Sequence, residues 1–231
     1  MPKITTVSFD RDDTIWCIQP VMDSVEERLL PLLRPYASED DIQARLRVAE
    51  ARHGPRLERG VNGFVLMLIE LAIEVSRGAI GAQDIRRIVR FADDIAARPV
   101  ALVEGARATL SALALEYTLI LHVVGDLPEL ELRIERSGLA DLFDHVRIVS
   151  RKDDRTFSRM LGQCGVSPGQ LVTVGRSLAT DILPALTRGA YAIHLDDGSG
   201  TALPGQPLRY RSARRISDVP QIIGRINGEA S

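Results

Sequence analysis

Cysteine is scarce in this 231-residue chain: Cys17 and Cys164 stand far apart, outside any C-x-x-C spacing. Two such residues supply neither a disulfide framework nor a cysteine-based metal cluster. With no leading secretory segment in view, a reducing compartment, the cytoplasm, is the expectation. Aromatic residues make up only 4 %, and no charge of one sign dominates, because acids and bases are interspersed at a formal net of −2. Nothing here offers the electrostatic footprint of a nucleic-acid or membrane surface. Long hydrophobic runs are missing too: the most apolar stretch, Phe64 to Ile73, carries Glu70 and is roughly half the ~20 residues a membrane span needs, so it reads as a buried helix. The expected partner is a small molecule. The length suffices for one core with an insertion, or two small domains, held by apolar burial without staples.

What is present alternates. Ile4 to Phe9 is a short apolar, β-branched run ending at an aspartate. Four more follow Tyr117: Leu119 to Val124, Val146 to Val149, Leu171 to Val174 and Tyr191 to Leu195, separated by segments of helical spacing. Such alternation predicts βαβ units, a parallel sheet and right-handed crossovers, an α/β Rossmann-like core. Between Trp16 and about Arg98 only helical periodicity occurs, over Met22–Leu33, Glu39–Ala51, Phe64–Ser76 and Ala82–Ala97, with breaks at His53-Gly54-Pro55 and Arg98-Pro99. The predicted organisation is a core of residues 1–15 and 100–231 with an all-helical insertion over 16–99. The segment after Asp196 reads as a loop, then one short strand and a closing helix.

The first strand runs into Phe9-Asp10-Arg11-Asp12-Asp13-Thr14-Ile15-Trp16. Two carboxylates two residues apart, just past a strand, reach the carboxyl edge of a parallel sheet, where such folds bind ligands. Aspartates there also serve as turn formers and caps. In the chemical reading, Asp10 attacks phosphorus to form an aspartyl-phosphate, and Asp12 gives a proton to the leaving oxygen and later takes one from water.

This segment resembles the D-x-D-x-T signature of the haloacid dehalogenase-like superfamily, followed by the insertion point of its helical cap. The resemblance extends over nearly the whole chain. It implies that Lys152, after the third core strand, is the lysine that keeps Asp10 ionised and neutralises the transferring phosphoryl group. It also implies a Mg²⁺ site from Asp10, the backbone carbonyl of Asp12, and Asp181 in Val174-Gly175-Arg176-Ser177-Leu178-Ala179-Thr180-Asp181. The implied activity is hydrolysis of a small phosphorylated metabolite.

Two positions depart from the family pattern. Position 176, where the family carries Asp or Asn, is Arg176, which cannot ligate magnesium. Where the family uses a hydroxyl to hold phosphate, this chain has Val123, leaving the backbone N–H groups of Val124 and Gly125. Arg176 could then stand in for the cation by forking onto a carboxylate or a bound phosphate. Two alternatives therefore stay open: a catalytically impaired protein that keeps the fold to bind a ligand or partner, and a metal-independent hydrolase. In the insertion, Arg59 and Asn62 flank glycines before the apolar helix and are the polar candidates for substrate contact. Those glycines suit a close ligand approach and a crowded helix start equally.

Overall fold

β-Branched and apolar runs become strands where both faces of a sheet are covered, and four of the six strands here follow that rule. The computed structural model describes residues 2–57, 60–125, 127–196, 203, 205 and 207–229. Its strands are β1 (Thr6–Phe9), β2 (Thr118–Val124), β3 (His145–Val149), β4 (Leu171–Gly175), β5 (Tyr191–Leu195) and β6 (Tyr210–Ala213). They form one sheet in the order β3-β2-β1-β4-β5-β6. Each pairing from β2 across to β6 is parallel, and Phe9 lies opposite Leu121 on one side and Val174 on the other. β1, β4 and β5 are buried along their whole length, as a central position in a parallel sheet requires. The chain lays β2 and β3 outward on one side of β1, then crosses to lay β4, β5 and β6 on the other. That reversal opens a crevice beyond the carboxyl ends of β1 and β4.

The chain divides into two compact units, one comprising Met1–Cys17, Val100–Val123 and Ile134–Ser231, the other Ile18–Pro99 and Val124–Arg133. The sheet belongs to the first. Trp16 and Cys17, which the sequence reading gave to the insertion, stay with this unit because Trp16 bridges Leu102 and the Cys17 N–H donates to the Ala101 carbonyl at 2.8 Å. Residues 124–133, expected in the core, group with the second unit instead.

The second unit holds α1 (Gln19–Leu33), α2 (Glu39–Leu57), α3 (Gly60–Ser76), α4 (Ala82–Val89) and α5 (Phe91–Ala97). Residues at helical spacing along α3, Phe64, Met67, Leu68, Leu71, Ala72 and Val75, are buried against Leu29, Leu33, Ile88, Phe91 and Ile95. Two expectations change here. α2 continues past Gly54-Pro55, since proline disfavours helix at the preceding residue without forbidding it. The single helix expected over 82–97 is two, because the chain turns at Arg90 so that Ile88 and Phe91 both face the core.

In the first unit, α6 (Ala106–Leu113), α8 (Asp154–Cys164), α9 (Leu183–Thr187) and α10 (Val219–Glu229) flank the sheet, while α7 (Leu127–Ser137) is divided between the units. Phe157, Met160 and Leu161 of α8 pack on Ile120, Leu171 and Ala192. His122 is buried in this layer, edge-on to Phe157, and its Nε2 has no hydrogen-bond partner.

Burial, and then the Lys152 ammonium, push the His122 pKa down to about 3 against the opposing charge of Asp10. The unfolded imidazole titrates near 6.5. Between those values the unfolded chain binds the extra proton, so this contribution is full above about pH 6.5 and is lost as pH falls toward 3. We expect His122→Leu to match the unsubstituted protein in chemical denaturation at pH 7, and to lose less stability between pH 6.5 and 4.

Candidate active site

Three turns at the carboxyl edge of the sheet build the site. The first follows β1. Asp10 is pinned by its N–H donating to the Val174 carbonyl at 3.0 Å, and the Arg11 carbonyl accepts from the amides of Thr14, Ile15 and Trp16. Asp13 closes the turn at φ 50°, a left-handed conformation that aspartate tolerates better than most residues and glycine tolerates freely.

The second turn joins β3 to α8. Asp153 caps α8 by accepting from the amides of Arg155 and Thr156, and the Asp153 N–H donates back to Thr156 Oγ1 at 2.9 Å. Arg151 clamps the other oxygen of Asp153 through Nε and Nη2 at 2.8 and 2.6 Å. Lys152 is held between these two, and its side chain turns inward to 6 % exposure.

The third follows β4. A wide π-type turn over Leu178–Ile182 begins at Ser177, whose hydroxyl accepts from the Thr180 N–H. It folds the Asp181 side chain back against Gly175, where a Cβ would lie 2.4 Å from Asp181 Oδ2. Only glycine at 175 admits that carboxylate. Such turns recur at functional sites.

Lys152 Nζ donates to Asp10 Oδ1 at 2.5 Å and to Asp181 Oδ1 at 2.6 Å, while the Ser177 N–H donates to Asp181 Oδ2 at 3.0 Å. Burial alone would lower the Lys152 pKa, but the charges of Asp10 and Asp181 outweigh it and hold the ammonium above the ordinary lysine range. Asp181 shifts up: burial and then the Asp10 charge raise it, opposed by Lys152 and the Ser177 amide. Two anions share the one cation of Lys152.

Beside this cluster, Arg11 Nε donates to Asp12 Oδ2 at 3.1 Å. The turn after β4 is tied to the next strands: His194 Nε2 donates to the Arg176 carbonyl at 2.9 Å, and Tyr210 O–H donates to His194 Nδ1 at 3.0 Å. A carbonyl can only accept, so Nε2 carries the hydrogen, and in a neutral imidazole Nδ1 then accepts.

Of the residues singled out from sequence, Asp10, Lys152 and Asp181 are in direct contact, and Asp12 lies two residues along the same turn. Val123 is fully buried, Val124 ends β2, and Gly125 follows it. Arg176 follows β4 and is half-buried. Asn62 is exposed on α3 in the second unit, and Arg59 lies outside the described residues. Sequence reading overlooked Arg11, although a basic residue between two acids at a strand end was visible. It also left unused that Lys3 and Lys152 are the only lysines among 29 basic residues. A compact ammonium fits between two carboxylates where a planar guanidinium does not.

The fold is shared with proteins of known structure. A haloacid dehalogenase-like family hydrolase from Xanthomonas campestris shares 30 % identity over 100 % of this chain and 99 % of its own, with a TM-score of 0.84. The putative HAD-hydrolase YfnB from Bacillus subtilis, solved bound to magnesium, shares 20 % identity over 96 % of this chain and 99 % of its own, with a TM-score of 0.73. Among curated proteins, N-acylneuraminate-9-phosphatase of Rattus norvegicus is 26 % identical over 136 residues, 56 % of this chain and 55 % of that protein, so the match spans about half of the rat enzyme. No family model matches.

Hydrolases of this kind generally use magnesium, and the donor set here can be tested for fit. Asp181, the acid expected to ligate it, has one oxygen on Lys152 and the other on the Ser177 amide. Asp10 already faces the same ammonium, and residue 176 is an arginine. Among the described residues no group of three or more His, Cys, Asp or Glu could hold a metal ion. With an arginine at 176 and one ammonium already on both carboxylates, this donor set is a poor fit to a resident magnesium ion. We expect the melting temperature to be unmoved by millimolar Mg²⁺. Arg176→Asp should gain a magnesium-dependent rise of about 3 to 5 °C at ten times its dissociation constant. Calorimetric titration of both proteins checks this.

Proposed function

The chain belongs to the haloacid dehalogenase-like family of hydrolases, and from that premise we propose that it is a phosphatase acting on a small phosphorylated metabolite through an aspartyl-phosphate on Asp10. The observation that carries the reading is the ammonium of Lys152 against Asp10 Oδ1 at 2.5 Å, within one turn that also bears Asp12. The cation pairs with the Asp10 carboxylate that attacks, and partly neutralises the phosphoryl group in transfer. An Asp10 oxygen forms the new bond to phosphorus as the bond to the leaving oxygen breaks, and Asp12 donates its proton to that oxygen. In the second half Asp12 takes a proton from water, water attacks phosphorus, and Asp10 is released with inorganic phosphate.

The retained Asp12 favours phosphate over a haloacid, because carbon–halogen cleavage has no leaving oxygen to protonate. Val123 offers no hydroxyl to the phosphoryl group, and we assign that task to the N–H groups of Val124 and Gly125. One missing donor costs about 2.7 to 4 kcal/mol of barrier, which slows such an enzyme without silencing it. Arg176 takes the part of an additional phosphate-facing cation in this reading, and the helical unit that of a cap.

The test is phosphate release from an aryl phosphate and a panel of phosphorylated metabolites, with Asp10→Asn as reference. We expect Asp10→Asn to lower turnover by more than about 10³-fold. The variant should fold normally, because Asp181 still neutralises Lys152. Activity that survives in Asp10→Asn contradicts the proposal.

A further inference from the structure

A second cation lies in the turn that carries both proposed catalytic acids. Arg11 is only 6 % exposed, and its Nε meets Asp12 Oδ2 at 3.1 Å, with the Asp12 side chain at 37 % exposure. Burying a guanidinium costs several kcal/mol unless it is paired, whereas an apolar side chain between two strand-end acids would fill the same space without that cost. The backbone beneath it is fixed, since the Arg11 carbonyl accepts three amide hydrogens, from Thr14, Ile15 and Trp16. A planar, permanently charged donor is thus held from a rigid support against a more exposed carboxyl group. An arginine neither gives nor takes a proton at working pH, so it can orient a proton-transfer group without competing for the proton.

We propose that Arg11 is a positioning residue for Asp12, setting the orientation from which Asp12 protonates the leaving oxygen. This rests on the phosphatase reading above. By donating to Oδ2, Arg11 assigns the transferable proton to Oδ1. As the bond from phosphorus to the leaving oxygen breaks, the electron pair stays on that oxygen, the Oδ1 proton moves to it, and Asp12 is left anionic. The guanidinium already in place meets the new charge with no reorganisation.

The dependence on leaving group separates this role from a structural one. A nitrophenolate departs without a proton, but a methoxyphenolate, being more basic, needs one. The experiment measures kcat/KM across aryl phosphates from 4-nitrophenyl to 4-methoxyphenyl for the full chain, Arg11→Met, Arg11→Lys and Asp12→Asn, each checked for native circular dichroism. For Arg11→Met we expect a loss of about 3-fold on the nitrophenyl ester and about 30-fold on the methoxyphenyl ester, a fraction of the 10²- to 10⁴-fold that general acid catalysis supplies. Asp12→Asn should steepen the dependence further, and Arg11→Lys, which keeps the charge, should fall between Arg11→Met and the unsubstituted protein. If Arg11→Met does not fold, the intermediate slope of Arg11→Lys carries the test. An equal loss on every ester, or none, overturns the role of Arg11 and leaves the phosphatase reading standing. Failure of the unsubstituted protein to hydrolyse any of the esters overturns both.

Discussion

The site depends on one ammonium group locked between two carboxylates. Lys152 reaches Asp10 and Asp181 from the turn after β3, so three chain segments distant in sequence meet at a single nitrogen. Each ion would be costly to bury alone. Together they leave one negative charge in excess, so the two acids hold the lysine protonated, while burial and then the Asp10 charge push Asp181 up. A site with that balance can accept further positive charge, and the chain supplies guanidinium groups at positions 11 and 176.

Most of the surrounding structure serves to aim these three side chains. The capping box at Asp153 fixes the residue next to Lys152, and Gly175 clears the space that Asp181 fills. The pair Tyr210–His194 reaches from β6 through β5 to the Arg176 carbonyl, one residue before the amide that holds Asp181. A continuous path of hydrogen bonds and chain thus runs from the sheet edge to Asp10. None of these supports touches the proposed reacting atoms, yet each restricts where the ammonium can sit.

Much of the sheet was legible in the sequence because buried parallel strands are written as apolar runs, and Ile4–Phe9 and Tyr191–Leu195 are unambiguous. Asp10, Asp12, Lys152 and Asp181 stood out because each follows a strand, where this fold gathers its chemistry. What could not be read were contacts between residues far apart. Nothing in the spacing reveals that Asp181 accepts from Lys152 on one oxygen and from the Ser177 amide on the other. His194 sits in an apolar run and looks like filling, since its role depends on a carbonyl 18 residues away. The kink at Arg90 was hidden because the apolar period continues across it.

The central claim is that Lys152 is a resident cation fixed by two anions, and its own titration tests this directly. With only Lys3 and Lys152 in the chain, ¹³C-labelled lysine gives two side-chain signals, the exposed Lys3 serving as reference. An ordinary lysine loses its proton near pH ~10.4. The account predicts that the Lys152 signal stays in its protonated position past that pH, and that Asp181→Asn brings its titration down. Deprotonation of Lys152 at or below the ordinary value would contradict it.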